Sequence, residues 1–165
     1  GDPLKKALLP CTPLAIIKML AETGICDPQD EHPLAGKTVT IFNRSEVIGR
    51  PLAVMLSNDG AKVYSFDING PLLFTNAKPA EVDISRSAAL ATSDIVITGV
   101  PSQHFEKVRG DEILPGTVCL NFSSVPNFAD DIEPQTHIFI PKVGPMTVAM
   151  CMRNTVRLYK NFHGA

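Results

Sequence analysis

The chain has 165 residues, of which 44% are hydrophobic and 19% charged, and its formal net charge is −2. That length suits one domain, and that composition supports a buried core and excludes a disordered chain. No basic stripe and no apolar run of ~18 residues occurs, which excludes nucleic acid, an anionic membrane surface and a membrane span.

Residues 10–24, PCTPLAIIKMLAETG, predict the first helix. Thr12 can cap it, Pro13 suits the first helical position, and Gly24 can close it. Leu14, Ile16, Ile17, Leu20 and Ala21 form its apolar face. A polar loop runs from Asp27 to Pro33. KTVTIF then predicts a strand, EVIGRPLAVMLSNDG a helix stopped by Gly60, and AKVYSFD a second strand. Residues 69–83, with Gly70, Pro71 and Pro79, predict an irregular loop or insertion. SRSAALATSD predicts a short helix, and IVITGVP a strand apolar enough to be covered on both faces. TVCLNF and HIFIP predict two more strands. GPMTVAMCMRNTVRLYKNF predicts a long last helix whose Met146, Met150 and Met152 fill core.

Strands alternating with helices predict an α/β fold, a Rossmann-type parallel sheet with helices on both faces. Ligands bind such sheets beyond the carboxyl ends of the strands, where the winding changes direction. Asn43-Arg44-Ser45, Phe66-Asp67-Ile68, Thr98-Gly99-Val100-Pro101 and Asn121-Phe122-Ser123 all fall on that rim. The first of these turns has two readings: a connector whose Ser45 caps the next helix, or a phosphate cradle in which Asn43 and Ser45 stand where glycines are usual. A helix N-terminus offers free amides and a positive dipole end, so a pyrophosphate can be held with few glycines. Asp67 ends the second strand, 24 residues after Asn43. That is the place of the acid that holds the adenosine ribose of NAD. Its competing reading is a surface turn residue ahead of Asn69-Gly70.

Cys11, Cys26, Cys119 and Cys151 form no C-x-x-C pair and have no histidine cluster. Free thiols in a reducing compartment, the cytoplasm, are expected, and a metal site is not. The chain opens on Gly1 without a leader pattern and is expected to be part of a longer protein.

The segments PCTPLAIIKML, NRSEVIGRPLAVMLSNDGAKVYSFD, SDIVITGVPS, LPGTVCLNF and VGPMTVAMCMRNTVRL occur in this order. In that order they resemble the methylenetetrahydrofolate dehydrogenases over nearly the whole chain. P-C-T-P, R-S-x-x-x-G-x-P and V-G-P-M-T are the most specific parts. NRSE, the Asp after the second strand and ITGVPS resemble the monofunctional, NAD-dependent fungal branch. Two departures from bifunctional relatives fit that branch: Asn43 replaces the glycine of G-R-S, and Pro141-Lys142-Val143 is one residue shorter than the usual loop. The resemblance implies that residues 1–165 are the NAD-binding domain with linker helices at 12–24 and about 146–160. A folate-binding N-terminal domain carrying a Tyr-x-x-x-Lys pair would be absent. It implies NAD as cofactor, a tetrahydrofolate substrate, a homodimer and no metal. Hydride would pass from the one-carbon methylene of the folate to the nicotinamide.

Carried over by position, Arg44 and Ser45 would meet the cofactor phosphates or ribose, with Asn43, Glu46, Val47 and Gly49 completing that turn. Asp67 would hold the adenosine ribose, with Ile68 beside it. Gly99, Val100 and Pro101 would line the adenine or ribose side, and Asn121, Phe122 and Ser123 the nicotinamide end. Thr147 would lie in the loop between nicotinamide and folate. Cys11 would face the cleft as the candidate catalytic residue. The alternative from another class is a non-catalytic nucleotide-sensing or oligomerisation module.

Overall fold

The computed structural model describes residues 6–27 and 29–163. Its seven strands are β1 (Thr38–Phe42), β2 (Lys62–Asp67), β3 (Gly70–Thr75), β4 (Lys78–Glu81), β5 (Ile95–Thr98), β6 (Thr117–Asn121) and β7 (Thr136–Ile140). Its α-helices are α1 (Cys11–Glu22), α2 (Gly49–Asn58), α3 (Arg86–Leu90) and α4 (Gly144–His163). The strands form one sheet in the order β4-β3-β2-β1-β5-β6-β7. β2, β1, β5, β6 and β7 run parallel. The chain winds outward from β1 to β2, then crosses to β5 on the other side of β1. The winding therefore changes direction between the carboxyl ends of β1 and β5, at Asn43 and Gly99.

Alternation along the strands divides two cores, because successive side chains point to opposite faces. Val39, Ile41, Ile95, Ile97, Val118 and Leu120 face one side, where Ile16 and Leu20 of α1 and Leu52, Ala53 and Leu56 of α2 cover them. Phe42, Val96 and Cys119 face the other, against Leu90 of α3 and against Val108, Ile113, Phe128 and Ile132. Apart from α3, the cover on this second face is irregular chain with two short 3₁₀ turns at Gly110–Glu112 and Glu133–Gln135.

Residues 69–83 are not an irregular loop. They hold β3 and β4, an antiparallel hairpin added to the edge at β2, so the parallel sheet carries two antiparallel strands. The turn between them has Asn76 at φ 49° and Ala77 at φ 61°. Two residues in the left-handed region make the type I′ turn that suits a hairpin. Ala is a poor residue for it, so the usual Asn-Gly signal is missing. Ser57 Oγ accepts the Ala77 amide at 3.2 Å and so helps hold the turn. Pro79 falls in β4, on the edge, where its missing N–H costs no ladder bond.

Helix boundaries also differ from the sequence pattern. α1 starts at Cys11 with Pro10 as N-cap and no side-chain cap, so Thr12 lies inside the helix. Gly24 (φ 75°) follows its end, as its place in the sequence predicts. α2 starts at Gly49 and not at Glu46, whereas α4 starts at Gly144 as the pattern predicts. Helix α4 buries no residue, and Met152 is 66% exposed. Met152 is therefore not core filling. Instead α4 lies along α1 and the segment before it. Asn154 Nδ2 donates to Leu9 O at 2.7 Å, and Asn161 Nδ2 donates to Lys6 O at 2.9 Å.

Candidate functional site

The first rim turn is built by short-range hydrogen bonds. Asn43 Nδ2 donates to Gly99 O at 2.8 Å, joining the ends of β1 and β5 across the switch in winding. Its Oδ1 accepts the Ser45 amide at 2.8 Å. Ser45 Oγ accepts the amides of Ile48 and Gly49, both at 3.3 Å, although the N-cap position itself falls on Ile48. Among the described residues, the amides of Glu46 and Val47 donate to no protein group. The Glu46 side chain pairs with Arg50 at 2.8 Å in solvent, and Val47 is exposed. Gly49 is required here, since a Cβ would collide with the carbonyl oxygen of Asn43. The turn thus packs its own chain tightly and leaves two amides at the positive end of α2, a fit for a phosphate.

Arg44 turns into the β2–β3 hairpin. Its guanidinium pairs with Asp67 Oδ1 and donates to Ser65 O and Gly70 O, both at 2.9 Å. Only 9% of the side chain is exposed. Asp67 Oδ1 also accepts the Asn69 amide at 2.7 Å, whereas Oδ2 accepts no protein donor among the described residues. One carboxylate oxygen is therefore held and the other is left for a ligand. Ile68 sits at the hairpin tip, fully exposed.

Asn43, Arg44, Ser45, Asp67, Ile68, Val100 and Pro101 border one cavity of about 570 Å³. Its remaining walls include Phe42, Phe66, Arg86 and Phe105. A second cavity on the same rim, about 680 Å³, lies beyond β6 and β7 and is lined by Asn121, Phe122, Ser123, Lys142, Gly144 and Pro145. Between them Gly99 is buried under the Phe122 ring, which a Cβ on Gly99 would strike. The backbone of Val100 is fully occupied. Asn127 Oδ1 accepts its amide at 2.8 Å, and Asn127 Nδ2 and Ser123 Oγ donate to its carbonyl at 3.0 and 3.1 Å. Only the Val100 side chain is left for a ligand. Asn121 is equally committed. Its Nδ2 donates to Ser123 O and Val125 O, and its Oδ1 accepts from Thr98 and Ser123, so its amide shapes the loop and does not point outward.

Cys11 and Thr147 border neither cavity. Cys11, half-buried, is the first residue of α1, with Sγ 3.5 Å from Asn154 Nδ2. Thr147 lies on the first turn of α4, and its buried hydroxyl has no partner. All four cysteines are free. Burial pushes the Cys119 thiol up to about 12, which marks it as a packed core residue. Among the described residues, no three His, Cys, Asp or Glu side chains gather to hold a metal. No helix there is long and apolar enough to cross a membrane.

Arg86, Phe42, Phe105 and Asn127 were not legible as rim residues. Three of them lie inside or beside predicted elements, and Asn127 sits in a loop with no motif. A phenylalanine at the end of each of two neighbouring strands, Phe42 and Phe66, was the available signal.

The family model for the tetrahydrofolate dehydrogenase/cyclohydrolase NAD(P)-binding domain matches residues 10–163. The chain is 46% identical to a methylenetetrahydrofolate dehydrogenase [NAD(+)] of Dictyostelium discoideum over 95% of this chain and 52% of that protein. The NAD-dependent 5,10-methylenetetrahydrofolate dehydrogenase structure from Saccharomyces cerevisiae superposes with a TM-score of 0.88 at 39% identity, covering 98% of this chain and 55% of that one. The bifunctional FolD enzyme of Campylobacter jejuni superposes at 0.73 with 28% identity, covering 96% and 52%. The chain spans about half the length of the curated relatives it matches. It belongs to the tetrahydrofolate dehydrogenase/cyclohydrolase family, as that family's NAD(P)-binding domain.

Proposed function

We propose that this chain is the cofactor-binding half of an NAD-dependent methylenetetrahydrofolate dehydrogenase. The observation that carries the reading is Asp67, held by Arg44 and the Asn69 amide with Oδ2 open, beside two free amides at the start of α2. The relatives named for NAD support the same choice. Asp67 Oδ2 accepts a hydrogen bond from an adenosine ribose hydroxyl. The amides of Glu46 and Val47, with the α2 dipole, hold the pyrophosphate. Val100 and Pro101 flank the adenine by their side chains. Phe122 and Ser123 border the far end, toward the second cavity. The nicotinamide, when bound, supplies the acceptor for a hydride from 5,10-methylenetetrahydrofolate. The chain's own work is to orient that ring and to keep water from it, so that donor and acceptor meet at roughly 3–3.5 Å.

The folate, the acid–base residues and a homodimer belong to the whole protein in this proposal, as does a cytoplasmic location. Helices α1 and α4 would connect the two halves. The exposed apolar residues of α4, Val148, Met152, Val156 and Tyr159, suit burial against a folate-binding half. Cys11 and Thr147, which lie on those helices, would reach the cleft only when it is closed by that half. The named relatives are enzymes, which disfavours a nucleotide sensor. Calorimetry and turnover test the proposal together: the chain binds NAD, yet forms no reduced cofactor from methylenetetrahydrofolate. Turnover by the chain alone, or no NAD binding, overturns it.

A further inference from the structure

Among the described residues, Arg86 is the one cation at the adenosine cavity that the dinucleotide reading leaves without a role. It begins α3, after its N-cap Ser85, and its side chain is 21% exposed. The guanidinium carbon lies 5.5 Å from the centre of the Phe42 ring and 5.8 Å from that of Phe105. Phe42 in turn stacks on Phe66 at 5.2 Å and meets Phe105 at 5.5 Å with a 60° tilt. The cavity floor is therefore an aromatic row that ends on Arg86.

The polar edge of Arg86 ties down the chain that follows β5. It pairs with Glu106 at 2.6 Å and with Glu112 at 3.3 Å, and donates to Lys107 O at 3.2 Å. Glu112 Oε2 also accepts the Arg109 amide at 2.9 Å. A planar fork can hold two carboxylates and a carbonyl while stacking on rings, which a lysine cannot do. Its Nε is buried and has no partner, so no ligand reaches it without rearrangement. Arg86 is thus unsuited to bind a ligand directly and well suited to fix what does. Phe105, which it covers, hangs from a segment that carries no helix or strand between β5 and Val108.

We propose that Arg86 is a positioning residue that sets the width of the adenine slot, by clamping Phe105 and residues 105–112 against Phe42. The inference rests on the dinucleotide reading of this cavity. Without the clamp, Phe105 and its loop must be ordered at each binding event, which weakens ligands that fill the slot on the order of tenfold. A loosened slot also loses its discrimination against a wider base.

The test compares wild type with Arg86→Met, which keeps bulk without the fork, and Arg86→Lys, which keeps charge without the fork. Calorimetry measures AMP, NAD and the base-enlarged analogue 1,N6-etheno-NAD. The expected result is that AMP competes with NAD in wild type, and that wild type prefers NAD to the etheno analogue. In Arg86→Met the AMP affinity falls and that preference collapses toward equality, with Arg86→Lys between. If AMP does not compete with NAD in wild type, the dinucleotide reading of the cavity fails. If AMP competes but both variants keep wild-type AMP affinity and base preference, the Arg86 inference fails alone. Equal loss of NAD and its etheno analogue would mean a general structural role and would also overturn it.

Discussion

Replacing Asp67 with Ser separates the two charges that decide between NAD and NADP. In the proposed site Asp67 Oδ2 meets the adenosine ribose, and the Arg44 fork is held by Asp67, Ser65 O and Gly70 O. A 2′-phosphate of roughly two negative charges would sit near the carboxylate. At ~4 Å each charge pair costs on the order of 1 kcal/mol in water-like dielectric, and more where water is excluded. Arg44 offsets only part of this, because three of its five N–H donors are already spent on Asp67, Ser65 O and Gly70 O. NAD gains one charged hydrogen bond that NADP lacks, about 1.5–3 kcal/mol. Since 1.4 kcal/mol is about a factor of ten, wild type prefers NAD by at least tenfold and up to several hundredfold. Asp67→Ser removes the repulsion and the charged bond together. NAD weakens by about ten- to a hundredfold, and NADP strengthens. The gain for NADP stays partial, because Ser65 O and Gly70 O still hold Arg44 inside the hairpin. Calorimetric titration of both cofactors against both proteins reads this out. Equal affinities in wild type, or unchanged selectivity in the variant, would leave Asp67 as no more than a turn residue.

Gly49→Ala forces a methyl group against the Asn43 carbonyl, so it loses stability by about 1–3 kcal/mol and NAD binding with it; Gly99→Ala meets a half-buried ring that can swing, and costs less. Chemical denaturation ranks the two, and a reversed order contradicts the geometry. Burial raises the Asp59 carboxyl pKa, opposed by a bond from Asn58 and the charge of His32. A raised folded value means a contribution present below the unfolded value of ~3.9 and lost as pH rises through the folded one. Asp59 also stands at the C-terminal end of α2, where the dipole disfavours an anion. Asp59→Asn should therefore raise the melting temperature at pH 7 and leave it unchanged near pH 3; a gain of the same size at both would sink the argument. Iodoacetamide should modify exposed Cys151 first and Cys119 only on unfolding, as mass spectrometry of the native chain would show. Labelling of Cys119 at the rate of Cys151 would contradict its burial.

The parallel half of the sheet was legible because each of its strands is a short apolar run bounded by a turn, and because Gly24 and Gly60 mark helix ends. The rim followed from the same pattern, since the carboxyl ends of parallel strands share one edge. The β3–β4 hairpin was not legible. Its strands carry prolines, and its turn uses Asn76-Ala77 where Asn-Gly would announce it. Asp67 could be placed from spacing alone, but not the way Arg44 folds back upon it, which depends on the hairpin bringing Gly70 O within reach. Asn127 and Arg86 act across long sequence separations, Asn127 on Val100 and Arg86 on Phe42 and Glu112, and no local pattern encodes such partners. The exposure of α4 was hidden for another reason: its apolar spacing is that of a buried helix, and only the fold reveals that α1 and the segment before it leave Val148, Met152, Val156 and Tyr159 exposed.

In the proposed site one dinucleotide lies across the carboxyl rim with its adenosine against Asp67. A crystal structure of the chain with NAD tests it most directly. The expected density places the ribose hydroxyl on Asp67 Oδ2, the pyrophosphate on the Glu46 and Val47 amides, the adenine between Val100 and Phe105, and the nicotinamide toward Phe122. NAD bound elsewhere, or bound with its adenosine in the cavity beyond β6 and β7, would contradict it.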